Sequence, residues 1–311
     1  MQPVLLAVPS APINSSASII ACLGEAAAEY AQRKQRGGAS GKKGTRYEDF
    51  FIAHKVAEIA ASHFTNPVTS WPFLGGQTRG FVDDAVLSSP QKTEYYQLKN
   101  VGNVSWTAGD HPISTDFQYQ YTLATHERQA DPRTTLVMSS AAQVAAMQAS
   151  MPNQISAHSS TVYFPYSDSL NRLVLENEAL HEPLIALSKS NAPTKDELVG
   201  VLGVLIIGCM NNPEGASIDT ILRSANSCAP SLLRVEGLID EPVTLRAQFV
   251  SILAQISGLT YDVSKGFFSW SGFGMTGVLP FSCRDPQFVQ FQENVEQVAP
   301  TTFDGFEELL P

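Results

Sequence analysis

Residues 81–101 read FVDDAVLSSPQKTEYYQLKNV, and this stretch decides the fold. Its two ends are rich in aromatic, aliphatic and β-branched residues, and the Ser-Ser-Pro triplet between them is typical of a turn. The pattern predicts a β-hairpin with strands at 81–87 and 93–101. Because alternate residues of a strand point to the same face, we expect Gln97 and Lys99 to share one face of the second strand.

Three acidic residues, Asp83, Asp84 and Glu48, lie within the predicted hairpin or are expected near it. Asp83 and Asp84 interrupt the first strand, which is otherwise apolar. Glu48 stands in the first turn of a helix that the spacing of apolar residues predicts over about 47–63. If this helix packs over the hairpin, Glu48 and Asp84 lie beside the face that carries Gln97.

The expected cluster has the chemistry of a magnesium site. Carboxylate, amide and carbonyl oxygens are the ligands that a hard divalent cation prefers. A lysine beside the cation helps to generate hydroxide, and the cation neutralises charge that develops on a phosphoryl oxygen. The set of Glu48, Asp84, Gln97 and Lys99 therefore predicts phosphodiester hydrolysis with Mg²⁺ or Mn²⁺.

The motifs also resemble a known family. Tyr47-Glu48, Phe81-Val-Asp-Asp84 and Tyr96-Gln-Leu-Lys99 are similar to those of the PD-(D/E)xK, or restriction-endonuclease-like, nucleases, in the Mrr-like variant with Gln before the lysine. Within that superfamily, the chain is most similar to the N-terminal double-stranded DNA endonuclease domain of bacterial antiphage effectors. Further motifs of that group correspond here to Trp106, Asp116-Phe117 and the run LVMSS at 136–140.

The resemblance covers about residues 44–165 and implies an α/β fold with a central mixed sheet flanked by helices. It implies that Glu48, Asp84 and Gln97 are metal ligands and that Lys99 is the catalytic base or positions the water. Either Asp83 or Asp84 could face the metal.

Each of these motifs also has an ordinary structural interpretation. Asp83-Asp84 could form a surface turn, although its apolar neighbours make that unusual. Glu48 could simply favour the dipole of its helix. Gln97 and Lys99 could lie on the solvated face of an edge strand.

The net charge of −10 at pH 7 is unevenly distributed along the chain. Residues 1–46 carry +4, residues 47–133 carry −4 and residues 134–311 carry −10. The overall field therefore does not attract a polyanion, and DNA binding requires a local basic patch.

The densest basic run, 33–46, directly precedes Glu48 and is glycine-rich in its second half. Lys42, Lys43 and Arg46 in this run are candidate DNA-binding residues. We expect weak DNA binding by the chain alone, with a salt dependence that originates in this segment.

The pattern along the chain predicts three regions. Residues 1–43 hold one helix, at about 14–36, and a basic glycine-rich loop, and residues 44–166 form the nuclease domain. Residues 167–311 are predicted to be a mostly helical acidic region used for docking or oligomerisation. The last part, 261–311, has no assignable pattern.

The four cysteines have no metal-site or disulfide spacing, and the longest apolar run is too short to span a bilayer. The expected location is the cytoplasm, without membrane attachment.

The sequence thus predicts a Mg²⁺-dependent DNA endonuclease, the effector subunit of a bacterial antiphage defence system. Its expected partners are double-stranded DNA and either further copies of itself or a larger ATPase or sensor protein. The alternative is a non-catalytic subunit that binds nucleic acid or acts as a scaffold with a degenerate nuclease fold. The residues do not distinguish RNA from DNA as the substrate.

Overall fold

The structure is a computed structural model that describes residues 15–40, 45–67, 70–235 and 243–311. Its contacts divide the chain into two compact units. The first comprises residues 1–52, 70–166 and 213–217, and the second comprises residues 53–69, 167–212 and 218–311.

The first unit is built on a six-stranded mixed sheet. The strands are β1 (Phe73–Gly76), β2 (Ala85–Ser88), β3 (Thr93–Lys99), β4 (Pro132–Met138), β5 (Ser159–Tyr163) and β6 (Ala216–Ser217). They lie in the order β5-β4-β3-β2-β1-β6. The predicted hairpin is confirmed, since β2 and β3 pair antiparallel with Ala85 opposite Tyr96. Strands β3, β4 and β5 run parallel to one another.

Helices flank this sheet, which confirms the predicted α/β class. They are α1 (Ser16–Leu23), α2 (Glu25–Ser40), α3 (Thr45–Thr65), α4 (Ile113–His126), α5 (Ala141–Ala149) and α6 (Asn153–Ser156). The core between them contains Tyr95 of β3, Phe117 of α4 and Leu136 of β4, all with no exposed surface. Trp106 is buried beside them, and its indole N–H donates to the carbonyl oxygen of Met147 at 2.8 Å.

The single helix predicted at 14–36 is wrong, because two helices occupy this stretch. They are separated at Gly24, whose φ of +87° is a conformation that glycine adopts without steric cost. The N–H of Gly24 bonds to Ile20 O and closes the first helix. The second helix runs to Ser40, through part of the predicted loop, because extending a formed helix costs less than starting one.

The predicted strand 81–87 is shorter than expected, and Asp83 and Asp84 lie just before β2. The carbonyl oxygens of these two residues accept hydrogen bonds from the turn that follows β1. Ahead of them, two backbone N–H groups donate to Oε1 of Gln120 at 2.9 and 3.3 Å instead of joining the sheet. The aspartates therefore lie on a loop that leads into β2, where their side chains do not have to alternate between the two faces of the sheet.

Gly75 and Gly76 are the last two residues of β1. Gly215 lies against this end of β1 and has a φ of +85°. This close approach is possible because Gly215 has no side chain. A Cβ atom on Gly215 would lie 2.6 Å from the Cα of Gly75.

The second unit combines helices with a small antiparallel sheet. Its elements outside α3 are α7 (Leu170–Glu176), α8 (His181–Leu187), α9 (Lys195–Met210), α10 (Ile218–Cys228), α11 (Ala247–Leu253), β7 (Thr260–Ser264), β8 (Phe267–Gly272), β9 (Met275–Val278), α12 (Pro286–Val298) and α13 (Phe303–Glu307). The stretch 261–311, unassigned from the sequence, thus contributes the sheet β7-β8-β9 and two helices. Its aromatic residues form a buried cluster around Phe249 and Phe268.

Among the described helices, none has both the length and the apolar character needed to cross a bilayer.

Candidate functional site

The structure brings the predicted site residues together at the carboxyl end of β3. The hairpin register places Asp84 beside Gln97, because the neighbouring pair is Ala85 and Tyr96. Asp84 Oδ2 accepts hydrogen bonds from Gln97 Nε2 and from the backbone N–H of Leu98, the latter at 2.6 Å. The hairpin thus fixes the orientation of the Asp84 carboxylate.

Glu48 enters the same cluster from the first turn of α3. Its Oε2 accepts a hydrogen bond from Gln77 Nε2 at 2.7 Å. Burial and the nearby charge of Asp84 raise the pKa of Glu48 to about 7, and the bond from Gln77 only partly opposes this. Two carboxylates that repel each other in this way form a favourable place for a cation.

Asp83 is more deeply buried than Asp84, with 4% of its surface exposed. Burial, together with the charge of Asp84, raises the pKa of Asp83 to about 6, although Lys34 opposes the shift. Its Oδ1 lies 3.5 Å from Lys34 Nζ but accepts no hydrogen bond from the described part of the chain. Asp83 therefore adds a buried carboxylate beside Asp84, with one oxygen that has an ion pair to Lys34 but no hydrogen bond within the described residues.

Lys34 and Asp116 belong to the site, although no role was assigned to either from the sequence. Lys34 Nζ lies 3.0 Å from Gln97 Oε1 and 3.0 Å from Asp116 Oδ2. Tyr30, one turn earlier on α2, donates to Asp116 Oδ1 at 3.1 Å. Burial lowers the pKa of Lys34, but Asp83 and Asp116 outweigh it and hold the ammonium above its usual pKa.

Weak signals for both residues were present in the sequence. Asp116 belongs to the Asp-Phe motif of the resembled nucleases. Lys34 belongs to the basic run 33–46, for which the sequence predicts contacts to DNA. The structure corrects this for Lys34, because its side chain points into the carboxylate cluster.

Lys99 lies at the end of β3, opposite Met138 of β4. Burial raises the pKa values of Glu48 and Asp83, and the charge of Lys99 opposes this rise at both carboxylates. Within the described residues, Lys99 Nζ makes no hydrogen bond or ion pair, which leaves its N–H groups available to a substrate.

The donor set fits a hard divalent cation. Glu48 and Asp84 supply carboxylate oxygens, and Gln97 supplies an amide oxygen, which are ligands of the type that Mg²⁺ accepts. In the described ranges, no group of three or more His, Cys, Asp or Glu residues is arranged to hold a metal. A site with two carboxylates suits Mg²⁺, because this ion keeps several waters and uses substrate phosphates as ligands.

Of the three predicted DNA-binding residues, the structure describes only Arg46. Lys42 and Lys43 lie outside the described residues. Arg46 is exposed in the first turn of α3, two positions before Glu48. A phosphate contacted by Arg46 would therefore approach the chain near the carboxylate cluster.

The raised pKa of Glu48 predicts a pH-dependent cost to stability. The folded state holds this proton more tightly than the unfolded state, so stability falls as the pH rises from about 4.5 to about 7. Without divalent cations, we expect Glu48→Gln to stabilise the protein at pH 8 by about 1 kcal/mol, after discounting for solvent screening. This corresponds to a rise of about 2–4 °C in melting temperature.

Thermal melts at pH 8 and at pH 4, where Glu48 is mostly protonated in both the folded and the unfolded state, test this expectation. The stabilisation should disappear at pH 4. Glu94→Gln, which changes a partly exposed carboxylate paired with the exposed Lys92, serves as the control and should have little effect. A Glu48→Gln protein that is less stable than the wild type at pH 8 would contradict the claim that the ionised Glu48 side chain destabilises the folded state.

Comparisons with known proteins assign no family to the chain. No family model matches the sequence, and no curated protein matches it. Among solved structures, the chain is weakly similar to the Acinetobacter baumannii Cap4 SAVED/CARF-domain containing receptor with the cyclic trinucleotide 2'3'3'-cAAA, at 9% sequence identity and a TM-score of 0.37. The match covers 59% of this chain and 45% of that chain. The function therefore has to be inferred from the site itself.

Proposed function

We propose that the chain is a metal-dependent endonuclease that hydrolyses DNA phosphodiester bonds with Mg²⁺ or Mn²⁺. One observation carries this proposal. The hydrogen bond from Gln97 fixes Asp84, and the charges of Glu48 and Lys99 act on the same cluster. A carboxylate pair, an amide oxygen and an unengaged ammonium are the groups needed to hold a cation beside a scissile phosphate.

The side chains have separate roles in this reaction. Glu48 and Asp84 hold the cation, and Gln97 and the N–H of Leu98 keep the Asp84 carboxylate in one orientation. When bound, the cation polarises the phosphoryl group and neutralises charge in the transition state. The N–H groups of Lys99 hydrogen-bond to the attacking water or to a non-bridging oxygen, where negative charge develops.

We further propose that the chain acts as an effector in bacterial defence against phage, a role that rests on the motif resemblance. The substrate in this proposal is double-stranded DNA. Residues 134–311 carry a net charge of −10, so the chain is expected to bind DNA weakly by itself. Self-assembly, or a larger ATPase or sensor protein, would then supply the missing affinity.

The proposal is tested by incubating supercoiled plasmid with the protein, with Mg²⁺ or Mn²⁺ and with EDTA. We expect nicking or linearisation that EDTA abolishes and that Asp84→Ala lowers by at least about 100-fold. Single-stranded DNA and RNA are assayed in parallel to define the substrate. Cleavage that survives in Asp84→Ala would show that the site lies elsewhere.

The alternative function is a non-catalytic subunit that binds nucleic acid or acts as a scaffold. One observation favours it: Lys34 donates a hydrogen bond to the Gln97 amide oxygen, so this oxygen has a partner without a metal. This alternative predicts no cleavage of any nucleic acid by the wild type, even with its partner proteins present, and no Mn²⁺ binding.

A further inference from the structure

The ammonium of Lys34 lies inside a cage of oxygen atoms at the candidate site. It donates to Gln97 Oε1 and Asp116 Oδ2, each at 3.0 Å, and to the carbonyl oxygen of Phe81. A third side chain, Asp83, lies 3.5 Å away through its Oδ1. An amide oxygen, two carboxylates and a backbone carbonyl thus surround one positive charge.

This cage overlaps the ligand set proposed for the divalent cation. The Gln97 side chain uses both of its polar atoms, because Nε2 donates to Asp84 and Oε1 accepts from Lys34. A cation that takes Gln97 Oε1 as a ligand would lie within a few ångströms of the ammonium. At that separation, the two positive charges repel each other strongly in a partly buried site.

We propose that Lys34 is a built-in occupant of the cation site, and that divalent cation binding and the inward position of Lys34 exclude each other. The inference rests on the proposed function, since it concerns the same cation. With Lys34 inward, its charge offsets those of Asp83 and Asp116, and its hydrogen bond occupies the Gln97 amide oxygen, so the site is closed to metal. With Lys34 outward, Asp83 and Asp116 add negative charge that attracts the cation.

The structure provides the means for such an exchange. The Lys34 side chain is 20% exposed, so it has a route to solvent, and its flexible stem permits the movement. Helix α2 can stay in place meanwhile, because Ala31 packs in a buried cluster with Phe81 and Leu123. Asp116 keeps the hydrogen bond from Tyr30 when the ammonium leaves.

Direct Mn²⁺ binding tests the proposal without an activity measurement. Free Mn²⁺ is counted by electron paramagnetic resonance during titration of the wild type, Lys34→Met and Lys92→Met. Lys92 is an exposed lysine paired with Glu94, so this control removes the same charge away from the site. We expect Lys34→Met to bind Mn²⁺ at least about tenfold more tightly than the wild type, and Lys92→Met to bind it with unchanged affinity.

A second experiment uses the wild type. It tests whether Lys34 itself leaves the site when Mn²⁺ binds, independently of the change in net charge that a lysine variant introduces. The folded protein is treated briefly with an amine-acylating reagent, with and without saturating Mn²⁺, and labelling at each lysine is measured by mass spectrometry. We expect labelling of Lys34 to rise at least about threefold with Mn²⁺, because the amine moves into solvent, while labelling of Lys92 stays constant. This experiment does not depend on whether Lys34→Met folds.

The outcomes distinguish the two proposals. If the wild type binds Mn²⁺ but Lys34→Met binds it no more tightly, or if Mn²⁺ binding by the wild type does not raise Lys34 labelling, the role of Lys34 is wrong and the cation site stands. Mn²⁺ binding by Lys34→Met alone would support exclusion by the ammonium. If neither protein binds Mn²⁺, the cation site is wrong and the exclusion fails with it.

Discussion

Lys99→Met is expected to lower single-turnover DNA cleavage by about 10³-fold while leaving Mn²⁺ affinity the same or higher. In the proposed mechanism, the ammonium of Lys99 faces the developing charge, and removing one such donor typically costs about 10²–10³ in rate. Because Lys99 is not a metal ligand, its loss removes a charge that repels the cation and leaves Glu48 and Asp84 in place. Cleavage and Mn²⁺ binding therefore separate in this variant.

The matched control for Lys99→Met is Lys92→Met, near the other end of the same hairpin. Lys92 is exposed and ion-paired with Glu94, so its removal should leave the cleavage rate within about twofold of the wild type. Retained cleavage by Lys99→Met would show that another group supplies the positive charge. Loss of Mn²⁺ binding in the same variant would mean that the site had collapsed.

Phe249→Ala is expected to destabilise the second unit by about 3–5 kcal/mol, the range for removing a fully buried phenylalanine. The Phe249 ring has no exposed surface and contacts the rings of Phe268 and Phe291, with centroids 5.6 and 5.9 Å away. Its removal would leave a cavity among rigid aromatic neighbours that cannot easily close. Urea denaturation followed by circular dichroism measures the loss.

Val289→Ala provides the control for Phe249→Ala, since Val289 lies on α12 with 44% of its surface exposed. We expect this variant to change the free energy of unfolding by less than about 0.5 kcal/mol. A Phe249→Ala protein with a similarly small change would contradict the buried aromatic cluster as the core of the second unit.

The hairpin was predictable because its signals are local. The apolar runs, the turn triplet and the QxK spacing lie within 21 consecutive residues, and antiparallel pairing of neighbours follows directly from them. The hydrogen bond between Asp84 and Gln97 is a consequence of this register. The helix that begins before Glu48 was predictable for the same reason, since its apolar spacing is regular.

The inward position of Lys34 was not predictable, because it depends on contacts that are distant in sequence. Lys34 is separated by 63 residues from Gln97 and by 82 from Asp116, and only the folded chain brings them together. In the sequence, Lys34 is one of several bases in a run that resembles a solvated segment. The break at Gly24, which sets the direction of α2, is also ambiguous, since glycine within a helical pattern often does not end the helix.

The loop position of Asp83 and Asp84 required tertiary information as well. Period-two alternation does not show where a strand begins, and here the Gln120 side chain takes the backbone N–H groups that would otherwise have extended β2. The consequence for the site is favourable, because a loop lets two consecutive carboxylates contribute to one cluster. On a regular strand, they would point to opposite faces.

Anomalous diffraction from crystals of the full chain with bound Mn²⁺ tests the central claim most directly. We predict one manganese peak within about 2.0–2.6 Å of carboxylate oxygens of both Glu48 and Asp84, with Lys34 Nζ displaced from Gln97 Oε1. A peak that contacts neither carboxylate, or no peak at saturating Mn²⁺, would contradict the proposed cation site and with it the nuclease mechanism.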